Sequence, residues 1–217
     1  MSVYKKIDEH LYASRYFYLL AATLLMVFLA SFFPDRSNYF INELTFSLFM
    51  LANINFIRHN KRIIIIMILF ALFSVLMAWV PNESSLGQKF LVSERIIVII
   101  FISIIIYLII SQIAKSKIVT VNMILGVITI YILFGLMAGD CNQLIYYFDT
   151  HAFTGNIDPT DISDLRYYSY VTMTTLGYGD ISPDGALARS VSTFIALTGQ
   201  LYLVIIMALI IGKFLKD

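Results

Sequence analysis

Tyr167-Tyr168-Ser169-Tyr170-Val171-Thr172-Met173-Thr174-Thr175-Leu176-Gly177-Tyr178-Gly179-Asp180 is the stretch whose reading decides the fold. Asp161, Ser163 and Asp164 stand before it, and such side chains cap helix N-termini. Leu165 to Thr174 then has the length for about three helical turns. Two glycines follow, Gly177 and Gly179, flanking one residue. Without a Cβ they take backbone conformations closed to other residues. The apolar runs on either side are each long enough to cross a bilayer. Irregular backbone survives at that depth only where protein or a watery path surrounds it. A short helix ending in a glycine-rich extended strand between two spans therefore reads as a re-entrant loop lining a pore.

The rest of the chain is built for the same solvent. Of its 217 residues 59% are hydrophobic and 13% charged, against about 45–50% and about 25% in soluble domains. A soluble fold is excluded, because the polar surface it needs is missing. The net charge of +1 argues against a nucleic-acid partner. The single cysteine, Cys141, forms no disulfide within the chain and reads as a plain thiol. Six apolar runs approach the roughly 20 residues that a ~30 Å hydrocarbon layer requires: 17–33, 40–57, 63–80, 96–114, 119–138 and 188–215. Residues 139–183 between the last two are polar, acidic and turn-rich, and are expected to form a loop.

Thr174-Thr175-Leu176-Gly177-Tyr178-Gly179-Asp180 resembles the signature of the tetrameric potassium channels, with Leu176 where the family's Thr-Val-Gly-Tyr-Gly loop has Val. The resemblance covers about residues 117–217. Tyr167 and Tyr168 fall where that family often has paired tryptophans. Gly199, 19 residues after Asp180, falls at its inner-helix hinge glycine. The resemblance implies an ion-binding filter of Thr175, Leu176, Gly177, Tyr178 and Gly179. Inward carbonyls would replace the hydration shell of K+, and the Thr175 hydroxyl would complete the lowest site. Tyr167, Tyr168, Thr172, Thr174 and Asp180 would support the filter. Leu203, Met207 and Ile211 would face the pore below the hinge. Val171 stands where some relatives carry a carboxylate behind the filter. One loop per chain supplies a quarter of a ring, so the resemblance implies a homotetramer.

Charge gives the orientation. With the Gly-Tyr-Gly-Asp end outside, as in that family, both termini are cytoplasmic. Ten of the 15 basic residues then lie inside and eleven of the 14 acids outside, in agreement with the positive-inside rule. Asp140, Asp149, Asp158, Asp161, Asp164, Asp180 and Asp184 would surround the pore mouth and concentrate cations. Run four carries no charge from Ile96 to Ala114, and Arg95 at its edge reads as an interfacial anchor. Such a helix has no charge to move through a membrane potential. Glu43, Asn53 and Asn55 interrupt run two and are expected to bond across the helix bundle.

The expected fold is an all-α membrane protein: six transmembrane helices plus a re-entrant pore helix and selectivity filter, assembled as a homotetramer. Residues 1–114 are expected to form a four-helix, voltage-sensor-like domain without gating charges, and 115–217 the pore domain. The expected function is passive K+ conduction, not steeply voltage-gated. A weakly selective cation channel and a non-conducting regulatory subunit stand as alternatives. No residue spacing fits catalysis, and no cofactor is expected beyond the permeant K+. The compact layout points to a prokaryotic plasma membrane, crossed several times.

Overall fold

The computed structural model describes residues 14–32, 39–57, 61–78, 85–115, 120–158 and 163–214. Six long helices occupy the apolar runs: α1 (Arg15–Phe32), α2 (Tyr39–Ile57), α3 (Lys61–Ala78), α4 (Ser85–Lys115), α5 (Val121–Phe148) and, last in the chain, α7 (Ala186–Phe214). Between α5 and α7 come β1 (Phe153–Gly155), the short helix α6 (Ser163–Met173) and β2 (Ile181–Pro183). Among the described residues three stretches are long and apolar enough to cross a membrane: Val92–Lys115, Val121–Phe148 and Ala186–Gly212. The chain divides into two compact units, one drawn from Met1–Ser116 and Thr120–Ile132, the other chiefly from Leu133–Asp217.

In the first unit α1 packs on α2, α2 on α3 and α3 on α4, the neighbour-on-neighbour order that short connections produce. Its centre is Leu19, Phe49, Met50, Phe101, Ile102, Ile105 and Ile109. On α4 the buried positions Val98, Ile102, Ile105 and Ile109 recur at helical spacing, while Ile96, Ile100, Tyr107 and Ile110 face outward. Thr23, Asn53 and Ser103 each donate to the carbonyl four residues earlier, at Leu19, Phe49 and Ile99, at 2.7 Å. A donor in an apolar helix thereby finds its acceptor in its own backbone. Asn53 therefore bonds along its helix rather than across the bundle. The side chains of Glu43 and Asn55 lie outside the described residues. Arg95 is not an exposed anchor: its side chain keeps 12% exposure, 4.0 Å from the carboxylate of buried Glu94.

One end of this unit is tied by Gln112. Its Oε1 accepts from the Arg15 guanidinium at 2.8 Å and from the Tyr16 hydroxyl at 2.9 Å, joining the start of α1 to the last turn of α4. Lys115 follows one turn later, so two basic residues share this end.

In the second unit the fold departs from the expected polar loop. Helix α5 runs ten residues past Ala138, through Gly139, Asp140, Cys141, Asn142 and Gln143 to Phe148. Asp140 and Asn142 do not end the helix because they are buried and bonded: Asp140 pairs with Arg166 at 3.2 Å, and Asn142 donates to Ser169 at 3.0 Å. The fold is also not purely helical. Strands β1 and β2 pair antiparallel, with Phe153 opposite Pro183, Thr154 opposite Ser182 and Gly155 opposite Ile181. Ala152, Phe153, Leu165, Tyr168, Ile181 and Ala188 form a small core beneath them. Helix α7 has only 11% of its membrane-length stretch buried by its own chain, against 50% for α5.

Replacing Gln112 with Leu removes an acceptor shared by two donors. The expected loss is about 1–3 kcal/mol of first-unit stability, read as a lower melting temperature by circular dichroism in detergent.

Candidate functional site

Helix α6 is held from several sides by consecutive residues. Arg166 reaches Asp140 on α5 at 3.2 Å. Tyr167 donates its hydroxyl to Asp180 at 2.7 Å, and Tyr168 donates to Ser192 on α7 at 2.6 Å. Ser169, besides accepting from Asn142, donates back to the Leu165 carbonyl at 2.8 Å. Phe153 stands edge-on to the Tyr168 ring, 5.4 Å between centroids. At the first turn the carboxylate of Asp164 accepts from the Asp158 N–H at 2.9 Å.

The C-terminus of α6 carries the decisive geometry. Thr175 N–H donates to Thr172 O at 3.1 Å and Leu176 N–H to Val171 O at 3.0 Å. These paired 5→2 and 6→1 bonds close a Schellman motif, which requires a left-handed residue at the position of Thr175. Thr175 indeed has φ +60°. Glycine is usual there, and a β-branched residue in that conformation is strained. Gly177 at +56° and Gly179 at +81° repeat the sign. Positive φ at every second residue reverses alternate peptide planes, the pattern that turns successive carbonyls to one side. A Cβ at Gly177 or Gly179 would meet nothing within 4 Å, so backbone conformation, not crowding, asks for glycine. Leu176, Gly177, Tyr178, Gly179 and Asp180 are exposed on the single chain. Thr174 donates its hydroxyl to Tyr170 O at 2.6 Å, and Thr172 supplies the carbonyl that Thr175 uses.

Gly199 is buried against the end of α6, where any Cβ would run into the Met173 carbonyl. Leu203, Met207 and Ile211, at four-residue steps along α7, are 43–57% exposed. The seven acids between residues 140 and 184 do not all face solvent. Asp140 has no exposure and is held by Arg166, so it does not belong to a ring at a pore mouth; a carboxylate in an apolar helix is retained only when paired. Asp184 is exposed but paired with Arg189 at 2.8 Å, and Asp161 lies outside the described residues.

One feature escaped the sequence reading although its signal was present. Gly135-Leu136-Met137-Ala138-Gly139 is a Gly-x-x-x-Gly stretch on α5, a pattern that lets helices approach closely. Here it receives α6: a Cβ at Gly135 would strike the Tyr170 ring, and one at Gly139 would meet the Arg166 Cα at 2.9 Å.

Residues 127–216 match the ion channel family. Over that stretch the chain is similar to an ion-channel domain. Over 90 residues the chain is 32% identical to two-pore potassium channel 2 of Arabidopsis thaliana, covering 41% of this chain and 18% of that protein. Over 61 residues it is 38% identical to the inward rectifier potassium channel Kirbac3.1 of Paramagnetospirillum magnetotacticum, covering 28% and 21%. The chain thus spans about a fifth of the length of these relatives. No solved structure matches.

The bond between Tyr167 and Asp180 shifts both groups. It holds the Asp180 carboxyl below its ordinary value and pushes the Tyr167 phenol up to about 12. The pair is intact above the ordinary carboxylate value of 3.8. It is lost in acid as pH falls through the depressed Asp180 value, and in alkali as pH passes about 12. With Tyr167→Phe the Asp180 carboxyl is expected to titrate back in the ordinary carboxylate range, which carboxyl-carbon NMR measures directly.

Proposed function

We propose that the chain is a potassium-selective channel that works as a homotetramer, with Thr175, Leu176, Gly177, Tyr178 and Gly179 of four copies forming the filter. The observation that carries this reading is positive φ at Thr175, Gly177 and Gly179 directly after the end of α6. Four strands of that conformation around one axis would present rings of carbonyls. Such rings replace the water around K+ and leave the ion mobile because neighbouring occupied sites repel. Strain at Thr175 is maintained where glycine would be easier, and strain of this kind gathers at functional positions. A threonine there adds a hydroxyl that glycine cannot. The C-terminal dipole of α6 points its negative end toward the entering cation.

The remaining parts follow from this frame. The uncovered surface of α7 supports a tetramer whose copies and lipid cover it. Gly199 would set how closely α7 rests on α6, and Leu203, Met207 and Ile211 would face the pore beneath it. A ring of such side chains closes a pore by expelling water. Six membrane spans, both termini cytoplasmic, and a division near residues 114/115 complete the reading, in a plasma membrane of prokaryotic type. Each charge moved through 100 mV supplies about 2.3 kcal/mol. Ile96 to Ala114 of α4 carries no charge, which supports gating that is not steeply voltage-dependent.

The test is ion flux into liposomes holding the purified protein, with Na+ as the paired control and Ba2+ as blocker. The expected result is Ba2+-sensitive K+ flux far above Na+ flux. Equal fluxes would overturn selectivity in favour of a weakly selective cation channel, and absent flux would favour a non-conducting subunit. Thr175→Gly removes the left-handed strain, worth about 1–2 kcal/mol. It is expected to raise the tetramer's melting temperature while lowering the K+/Na+ permeability ratio, both measured on the same preparation.

A further inference from the structure

We propose that the buried Asp140–Arg166 ion pair is a positioning element that fixes the rotation of α6 about its axis and through it the selectivity of the filter. The inference rests on the channel reading above.

Arg166, Tyr167 and Tyr168 are successive residues, so their side chains leave α6 about 100° apart. They reach three different elements: α5 through Asp140, the segment after the filter through Asp180, and α7 through Ser192. Three directed bonds at one level of a short helix define its rotation; two leave it free to rock about the line joining them. Two of these legs enter the interior, Tyr168 to Ser192 and Arg166 to Asp140, and only the second carries charge. Asp140 has no exposed side-chain surface and Arg166 retains 13%.

That burial is informative. An ion pair sunk away from water is weak as a source of stability, and apolar residues of similar volume hold such places as well or better. What apolar packing lacks is direction, which the single bond donated by Arg166 Nη2 to Asp140 Oδ1 supplies from a planar guanidinium. The groove reinforces it. Gly139 leaves space only for the backbone and stem of Arg166, and Gly135 only for the ring of Tyr170, one turn further along. Val171, buried on the next residue, offers no carboxylate to fasten this helix to the filter. The turn that ends α6 uses the carbonyls of Val171 and Thr172 to hold Leu176 and Thr175. A rotation of α6 therefore reaches the first filter residues directly. Turning a helix by about 10° moves a Cα at its ~2.3 Å radius by about 0.4 Å, close to the ~0.5 Å tolerance of a binding site.

The test compares wild type with the double variant Asp140→Leu/Arg166→Leu and with Arg166→Lys, reading tetramer melting temperature and K+/Na+ permeability ratio in liposomes. The double variant removes both charges together, so neither is left buried alone. Its expected behaviour is wild-type melting with a permeability ratio lower by about tenfold, the scale on which loss of supporting contacts degrades an ion site. Arg166→Lys keeps the charge without the planar guanidinium and is expected to fall between. A wild-type ratio in both variants would overturn the inference and leave the pair structural only. Should the double variant fail to assemble, Arg166→Lys decides: a lowered ratio supports the inference and an unchanged one overturns it. Wild-type protein that passes K+ and Na+ equally would overturn the channel reading itself, and this inference with it.

Discussion

The hydrogen bond from the Leu176 N–H to the Val171 carbonyl, 3.0 Å long, and its partner from Thr175 to Thr172 determine how helix α6 gives way to extended chain. A helix must satisfy its last carbonyls from beyond its own end. Closing them onto the next two residues does this, and it forces Thr175 into the left-handed region. From there the alternation with Gly177 and Gly179 continues the same turn of the backbone. The helix ending and the extended strand after it are thus one solution to one constraint. The other contacts of the second unit serve to hold that ending in place.

Polar groups in this protein are handled in two ways. Some hydroxyls and an amide donate to the carbonyl four residues earlier, as Thr23, Asn53 and Ser103 do in the first unit and Ser169 and Thr174 in the second. This makes them compatible with apolar surroundings but binds no helix to another. Others reach across elements: Arg15 and Tyr16 to Gln112 in the first unit, and in the second Asp140 to Arg166, Asn142 to Ser169, Tyr167 to Asp180 and Tyr168 to Ser192. Directed bonds between elements cost more to bury than apolar contacts. Their concentration around α6 marks the region where position matters more than cohesion.

Local pattern accounts for what was legible in the sequence. Apolar runs long enough to span a bilayer lie in helices because an isolated backbone in hydrocarbon has few other choices. The short helix before Gly177 was legible from its capping residues and the glycines after it, although Thr175, not a glycine, takes the left-handed position that closes it. The extension of α5 through Asp140 to Phe148 was not, because its polar residues read as loop until their partners on α6, more than 20 positions away, are known. The pairing of β1 with β2 was hidden for the same reason: three-residue strands carry no periodicity of their own.

By itself the sequence determined that the chain is a helical membrane protein and that an irregular glycine-containing strand follows a short helix at residues 174–180. Hydrophobic length and the absence of Cβ atoms are properties of residues in order along the chain, and no partner is needed to read them. Only the tertiary structure decided that Asp140 is buried rather than displayed, that Arg95 turns inward, and that Gly135 and Gly139 form the groove for α6. Whether a charge meets water or an opposite charge depends on which residue the fold places beside it.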